Sequence, residues 1–137
     1  MSKLRHLSRV VAFQSLVALT VNGKQEAEKI FNYVQDEFSP ELRDSDFARK
    51  IFFGVIANRD FLDKEIQGLA PKWPISKLCS IERCVLEMGC YELFDVKDTP
   101  LAVVIDECVE IAKEFGDETA GKFVNGVLSS FAKKYRN

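Results

Sequence analysis

Ser80-Ile-Glu-Arg-Cys-Val-Leu-Glu-Met-Gly-Cys-Tyr-Glu-Leu-Phe94 decides the fold. Its apolar residues run along more than one line, with Ile81, Val85 and Met88 on one and Leu86, Cys90, Leu93 and Phe94 on another. A helix that is apolar on several sides has to be enclosed by other elements, so this one belongs in the middle of a bundle, with Ser80 as its cap. The same helical period holds along almost the whole chain, and no segment alternates as a half-buried strand would. The reading is all-α, a bundle of six to seven helices.

Downstream, Thr99-Pro100 opens a helix whose buried stripe is Leu101, Val104, Ile105, Cys108, Ile111 and Phe115, with Asp106, Glu107, Glu110 and Glu114 solvated on the other face. Gly116 ends it. Asp117 caps the last helix, in which Val124, Val127, Leu128, Phe131 and Tyr135 point inward. Upstream, Pro71-Lys72-Trp73-Pro74 is the strongest break and divides the chain into two packed three-helix subdomains, approximately 1–70 and 75–137. The first holds a helix from about Lys3 to Val21 that stops at Asn22-Gly23. A second follows with the stripe Ala27, Ile30, Phe31, Val34 and Phe38. A third is capped by Asp44-Ser45-Asp46 and carries Phe47, Ile51, Val55, Leu62, Ile66 and Leu69, with a kink expected near Asn58.

With 137 residues, 47% of them apolar and 29% charged, the chain can form a core without disulfide or metal, which excludes disorder as its main state. Cys79, Cys84, Cys90 and Cys108 form no Cys-x-x-Cys pair, and His6 is remote from them, so neither zinc nor any other metal or cofactor is expected. The cysteines read as small core residues in a reducing compartment. Lys3, Arg5 and Arg9 ahead of an apolar run resemble the start of a secretory signal, but Gln14 and Ser15 interrupt the run. No stretch is long enough to span a membrane, and a cytoplasmic protein is expected.

Charge is unevenly placed. Residues 1–25 hold four cations (Lys3, Arg5, Arg9, Lys24) and no acid; the part from Glu118 onward holds four cations against one acid; residues 26–117 therefore carry −9 of the net −2. Basic ends suit a polyanion, and an acidic middle suits a basic partner.

Gly116-Asp-Glu-Thr-Ala-Gly-Lys122-Phe123 comes close to a phosphate-binding loop, but Phe123 stands where a hydroxyl must hold magnesium and a helix precedes the loop instead of a strand. No hydrolase motif exists, and no enzyme is expected. Arg5 and Arg9, one helical turn apart, face the same way and could clamp a phosphate backbone. Lys122 and Phe123 set a cation and a ring beside Asn125, which suits an unstacked base. Phe123 also reads as a core residue beside a merely solvated Lys122, and composition alone favours that reading.

Read together, Pro100-Leu-Ala-Val-Val-Ile-Asp-Glu-Cys-Val-Glu-Ile-Ala-Lys113 and Lys122-Phe-Val-Asn-Gly-Val-Leu128 closely resemble the C-terminal signature of the NusB family of transcription antitermination factors. Ile81 to Leu93 looks like the family's central helix, Gly54-Val55 like part of its third, and Arg9, Gln14 and Leu16 like its first. The resemblance spans essentially the whole chain. It implies one NusB-like RNA-binding domain that binds boxA RNA, single-stranded, together with NusE, a small-subunit ribosomal protein, and joins an antitermination complex on RNA polymerase during ribosomal RNA transcription. Read onto matching positions, the RNA surface would comprise Arg5, Arg9, Gln14, Glu82, Lys122, Phe123 and Asn125. Glu82, Glu87 and Glu92 are the expected partner contacts. The chain departs from the family in its sparse N-terminal arginines, in Val17 where tyrosine is common, and in Thr119, Ala120 and Gly121 before Lys122. Both a monomer and a homodimer that covers the RNA face fit the sequence. The alternative function is a protein-interaction module of the same fold without RNA binding; the fold also occurs joined to RNA methyltransferases, for which 137 residues leave no room.

Overall fold

The computed structural model describes residues 3–23, 26–42 and 45–136, together with the backbone of residue 2. These residues form seven α-helices and no strand: α1 (Ser2–Asn22), α2 (Ala27–Phe38), α3 (Asp46–Ala57), α4 (Arg59–Leu69), α5 (Ser80–Asp95), α6 (Leu101–Phe115) and α7 (Glu118–Tyr135), with one 3₁₀ turn at Ile75–Lys77. Two compact units divide at Gly54–Val55, inside α3. The proline-rich break at 71–74 therefore lies within the second unit, because α4 packs against α5 and α7.

In the first unit α1 packs on α2. Gly23 ends α1 with φ of +44°, the left-handed turn that glycine adopts without steric cost. Phe31 of α2 meets Phe52 of α3 at a centroid distance of 5.6 Å, and Phe52 meets Phe53 edge-on at 4.9 Å. Phe38, expected in the buried stripe of α2, is 60% exposed, since it is the last helical residue before the chain turns at Ser39. The expected capping residue Asp44 and the cation Lys24 lie outside the described residues.

In the second unit α5 is flanked by α4, α6 and α7, and every residue from Cys84 to Leu93 is buried. That is the enclosed helix its multi-sided apolar pattern demands. Cys79, not Ser80, occupies its N-cap and is exposed, so this cysteine is not core. The kink expected near Asn58 is a full break between α3 and α4. Asp117 caps α7 as expected, its Oδ1 accepting from the Ala120 N–H at 2.8 Å. Arg136 closes the unit: its guanidinium donates to the carbonyls of Leu93, Val96 and Thr99, each at 2.8 Å. These carbonyls lie at and beyond the end of α5, where helical partners run out.

Candidate nucleic-acid interface

The second unit holds an open groove of about 350 Å³ lined by Leu69, Ala70, Pro71, Lys72, Trp73, Lys122, Phe123, Gly126 and Val127. Its aromatic wall is a pair. Trp73 and Phe123 meet nearly perpendicular, at 78° and a centroid distance of 6.0 Å. Trp73 is 57% exposed and Phe123 is half-buried, so both rings keep surface for a ligand. Lys72 and Lys122, both exposed, add two cations to the lining.

Local sequence explains this arrangement. Pro71 and Pro74 stop α4 from continuing and force the chain outward. Gln67 then organises the turn: its Oε1 accepts the Ile75 N–H at 2.9 Å, and its Nε2 donates to the carbonyls of Ala70 and Trp73, each at 3.2 Å. Trp73 is thereby presented by a braced loop. On the opposite wall, Gly116 to Lys122 forms a cap and the first turns of α7 instead of a phosphate loop. Gly121 is buried within it, and a Cβ there would come 2.8 Å from Lys113 Cγ.

Lys122 and Phe123 are brought together on this groove, whereas Asn125 is exposed on α7 outside its lining. Glu82, half-exposed in the first turn of α5, accepts from the Cys79 thiol at 3.2 Å. Trp73 is the residue that sequence reading missed as a site. The signal was present: an aromatic ring between two prolines and beside a lysine, in a turn where little can bury it.

In the first unit, Arg5 is exposed with its guanidinium carbon 3.9 Å from the centroid of the Phe47 ring. Arg9, expected to be the second jaw of a phosphate clamp, is only 2% exposed and lies 5.2 Å from the same centroid. The reason is its helical register: Arg9, Phe13 and Leu16 share the buried face of α1. Gln14 is half-buried, and its Oε1 is enclosed with no hydrogen-bond partner among the described residues.

Two of the expected partner contacts are also corrected. Glu87 and Glu92 are fully buried, because α5 is covered on all sides at their level. Glu87 accepts a two-pronged hydrogen bond from Arg59 at 2.9 Å per prong, and Arg83 lies 3.5 Å away while bonding Asp63 at 2.8 Å. Burial pushes the Glu87 carboxyl up to about 7; Arg59 opposes the rise and neighbouring Asp63 adds to it. Burial also raises the Cys90 thiol well above its ordinary range, so that sulfur stays protonated.

Among the described residues no group of three or more His, Cys, Asp or Glu could hold a metal ion, and no helix is long and apolar enough to cross a membrane. A helical scaffold that sets the exposed Trp73 and half-buried Phe123 between two lysines offers a surface suited to binding. The NusB family model matches residues 6–133, and the chain belongs to that family. It is 38% identical over 125 residues to the transcription antitermination protein NusB of Oceanobacillus iheyensis, covering 91% of this chain and 95% of that one. Among solved structures it resembles NusB from T. maritima (32% identity, TM-score 0.87, 97% and 93% of the two chains). It also resembles a chain in a crystal structure of the antitermination factors NusB and NusE in complex with double-stranded RNA (30% identity, TM-score 0.87, 98% and 100% of the two chains).

Proposed function

We propose that this chain binds boxA-type RNA together with NusE and that the pair joins an antitermination complex on RNA polymerase. The observation that carries the reading is the Trp73–Phe123 pair over an open groove lined by Lys72 and Lys122. Exposed rings offer stacking faces to unpaired bases, and the lysines attract the backbone that joins them. A duplex hides its base faces, so rings presented in this way favour a single strand. Arg5, Gln14 and Asn125 are the further proposed RNA contacts, and half-exposed Glu82 is the proposed contact to the basic partner.

The test is fluorescence anisotropy of a labelled boxA-type RNA, single-stranded and duplex, across a salt series with and without NusE. Tighter binding of the single strand, a shallow salt slope reflecting about two or three phosphate contacts, and weakening by Phe123→Ala are expected. Affinity unchanged in both Phe123→Ala and Arg5→Ala would favour the module that binds protein alone.

A further inference from the structure

We propose that Phe47 is a positioning residue for RNA, which holds the Arg5 guanidinium by its face and leaves the hydrogen-bonding edge free for a backbone phosphate. The inference rests on the RNA-binding reading above and adds to it a residue without base or phosphate contacts of its own.

The argument begins with what each described arginine does with its donors. Arg49 also lies over rings, 5.1 Å from the centroid of Phe31 and 5.2 Å from that of Phe53, but its guanidinium is held by Glu28. Arg59 is engaged by Glu87, Arg83 by Asp63, and Arg136 by three carbonyls. Arg9 is buried. Arg5 differs from all of these: it is exposed, lies 3.9 Å over the Phe47 centroid, and makes no hydrogen bond or ion pair among the described residues.

A guanidinium is a planar fork with its N–H donors around the rim, so contact through the face consumes none of them. A free arginine side chain loses rotamer freedom when it docks, and a ring beneath it removes part of that loss beforehand. Phe47 sits in the first turn of α3 and Arg5 near the start of α1, so the contact ties a tip of α1 to a second helix. The result is a pre-oriented cation on the surface. Its shape suits a phosphate oxygen approaching in the guanidinium plane.

The test is a double-mutant cycle on the full chain with labelled boxA-type RNA, using Arg5→Ala, Phe47→Leu and the pair, with Phe47→Trp as rescue and thermal melts to confirm folding. Arg5→Ala is expected to weaken binding about tenfold and to reduce the salt slope by about one, as loss of a phosphate contact requires. Phe47→Leu should weaken it about 2–5-fold with the wild-type salt slope, since the charge remains. Phe47→Trp should restore affinity, and the double variant should bind no worse than Arg5→Ala.

An affinity unchanged by Phe47→Leu, in a protein weakened by Arg5→Ala, would overturn the positioning role and leave RNA binding intact. So would an equal loss from Phe47→Leu with and without Arg5. Arg5→Ala without effect would overturn the proposal at its arginine. A wild-type protein that binds no RNA would overturn the functional reading itself.

Discussion

Gly89 of α5 lies so close beneath Leu128 of α7 that a Cβ at position 89 would stand 2.8 Å from Leu128 Cδ1 and 3.0 Å from Cys108 Sγ of α6. The three helices converge where there is no room for a methyl group. Gly89→Ala is therefore expected to destabilise the protein by about 1–3 kcal/mol, although alanine is the better helix former. Urea unfolding of the variant checks this, and a midpoint at or above the wild type's would show that the helices can give way.

Gly126 is the converse case, with nothing within 4 Å of the place its Cβ would occupy. Gly126→Ala should add roughly 0.5–1 kcal/mol of stability by the same denaturation assay. Because Gly126 lines the groove, Gly126→Leu should fill it and lower RNA affinity in a protein that melts no earlier.

The aromatic pair predicts how loss of affinity divides among neighbours. Trp73→Ala and Phe123→Ala should each cost about 1–3 kcal/mol of RNA binding if bases stack there. Gln67→Leu, outside the groove lining, should weaken binding less, by releasing the turn that carries Trp73. Isothermal titration of the three variants decides it, and a Gln67→Leu protein with wild-type affinity would mean that the prolines alone hold the turn.

Buried Glu87 predicts a slope in stability with pH. Its carboxyl has an ordinary value of 4.5 and is raised to about 7 in the fold, chiefly by burial. Below the lower value both states hold the proton and the contribution is fully present; as pH rises through the higher one, ionisation favours the unfolded chain and the contribution is lost. The loss amounts to as much as ~3 kcal/mol. Unfolding free energies of wild type minus Glu87→Gln, measured from pH 4 to 8, should fall across that window and level off above it. A difference independent of pH would mean that the Arg59 fork keeps Glu87 ionised throughout.

The helices were legible because burial leaves a period in the apolar residues, and α5 was even legible as the enclosed one. The same pattern also governs the charges on that helix. Glu87 and Glu92 lie on that enclosed helix, and although charge alone suggests exposure, α4, α6 and α7 cover them. For Arg9, the spacing from Arg5 suggests a shared exposed face, whereas its spacing from Phe13 and Leu16 places it on the buried one. In sequence Trp73 reads as part of a break in the chain, and only the Gln67 bonds, contributed from within α4, show the break to be a braced display of a ring. Composition favours Phe123 as core, but helical phase places it at the border between core and surface, and it is half-buried.

The guanidinium of Arg136 reaches back 37 to 43 positions to grip the turn between α5 and α6. During synthesis, that turn lacks the guanidinium's bonds until position 136 has cleared the ribosome. Maturation of the second unit therefore waits for that arginine to emerge, and nascent chains halted short of it should be the ones that proteases and chaperones find first.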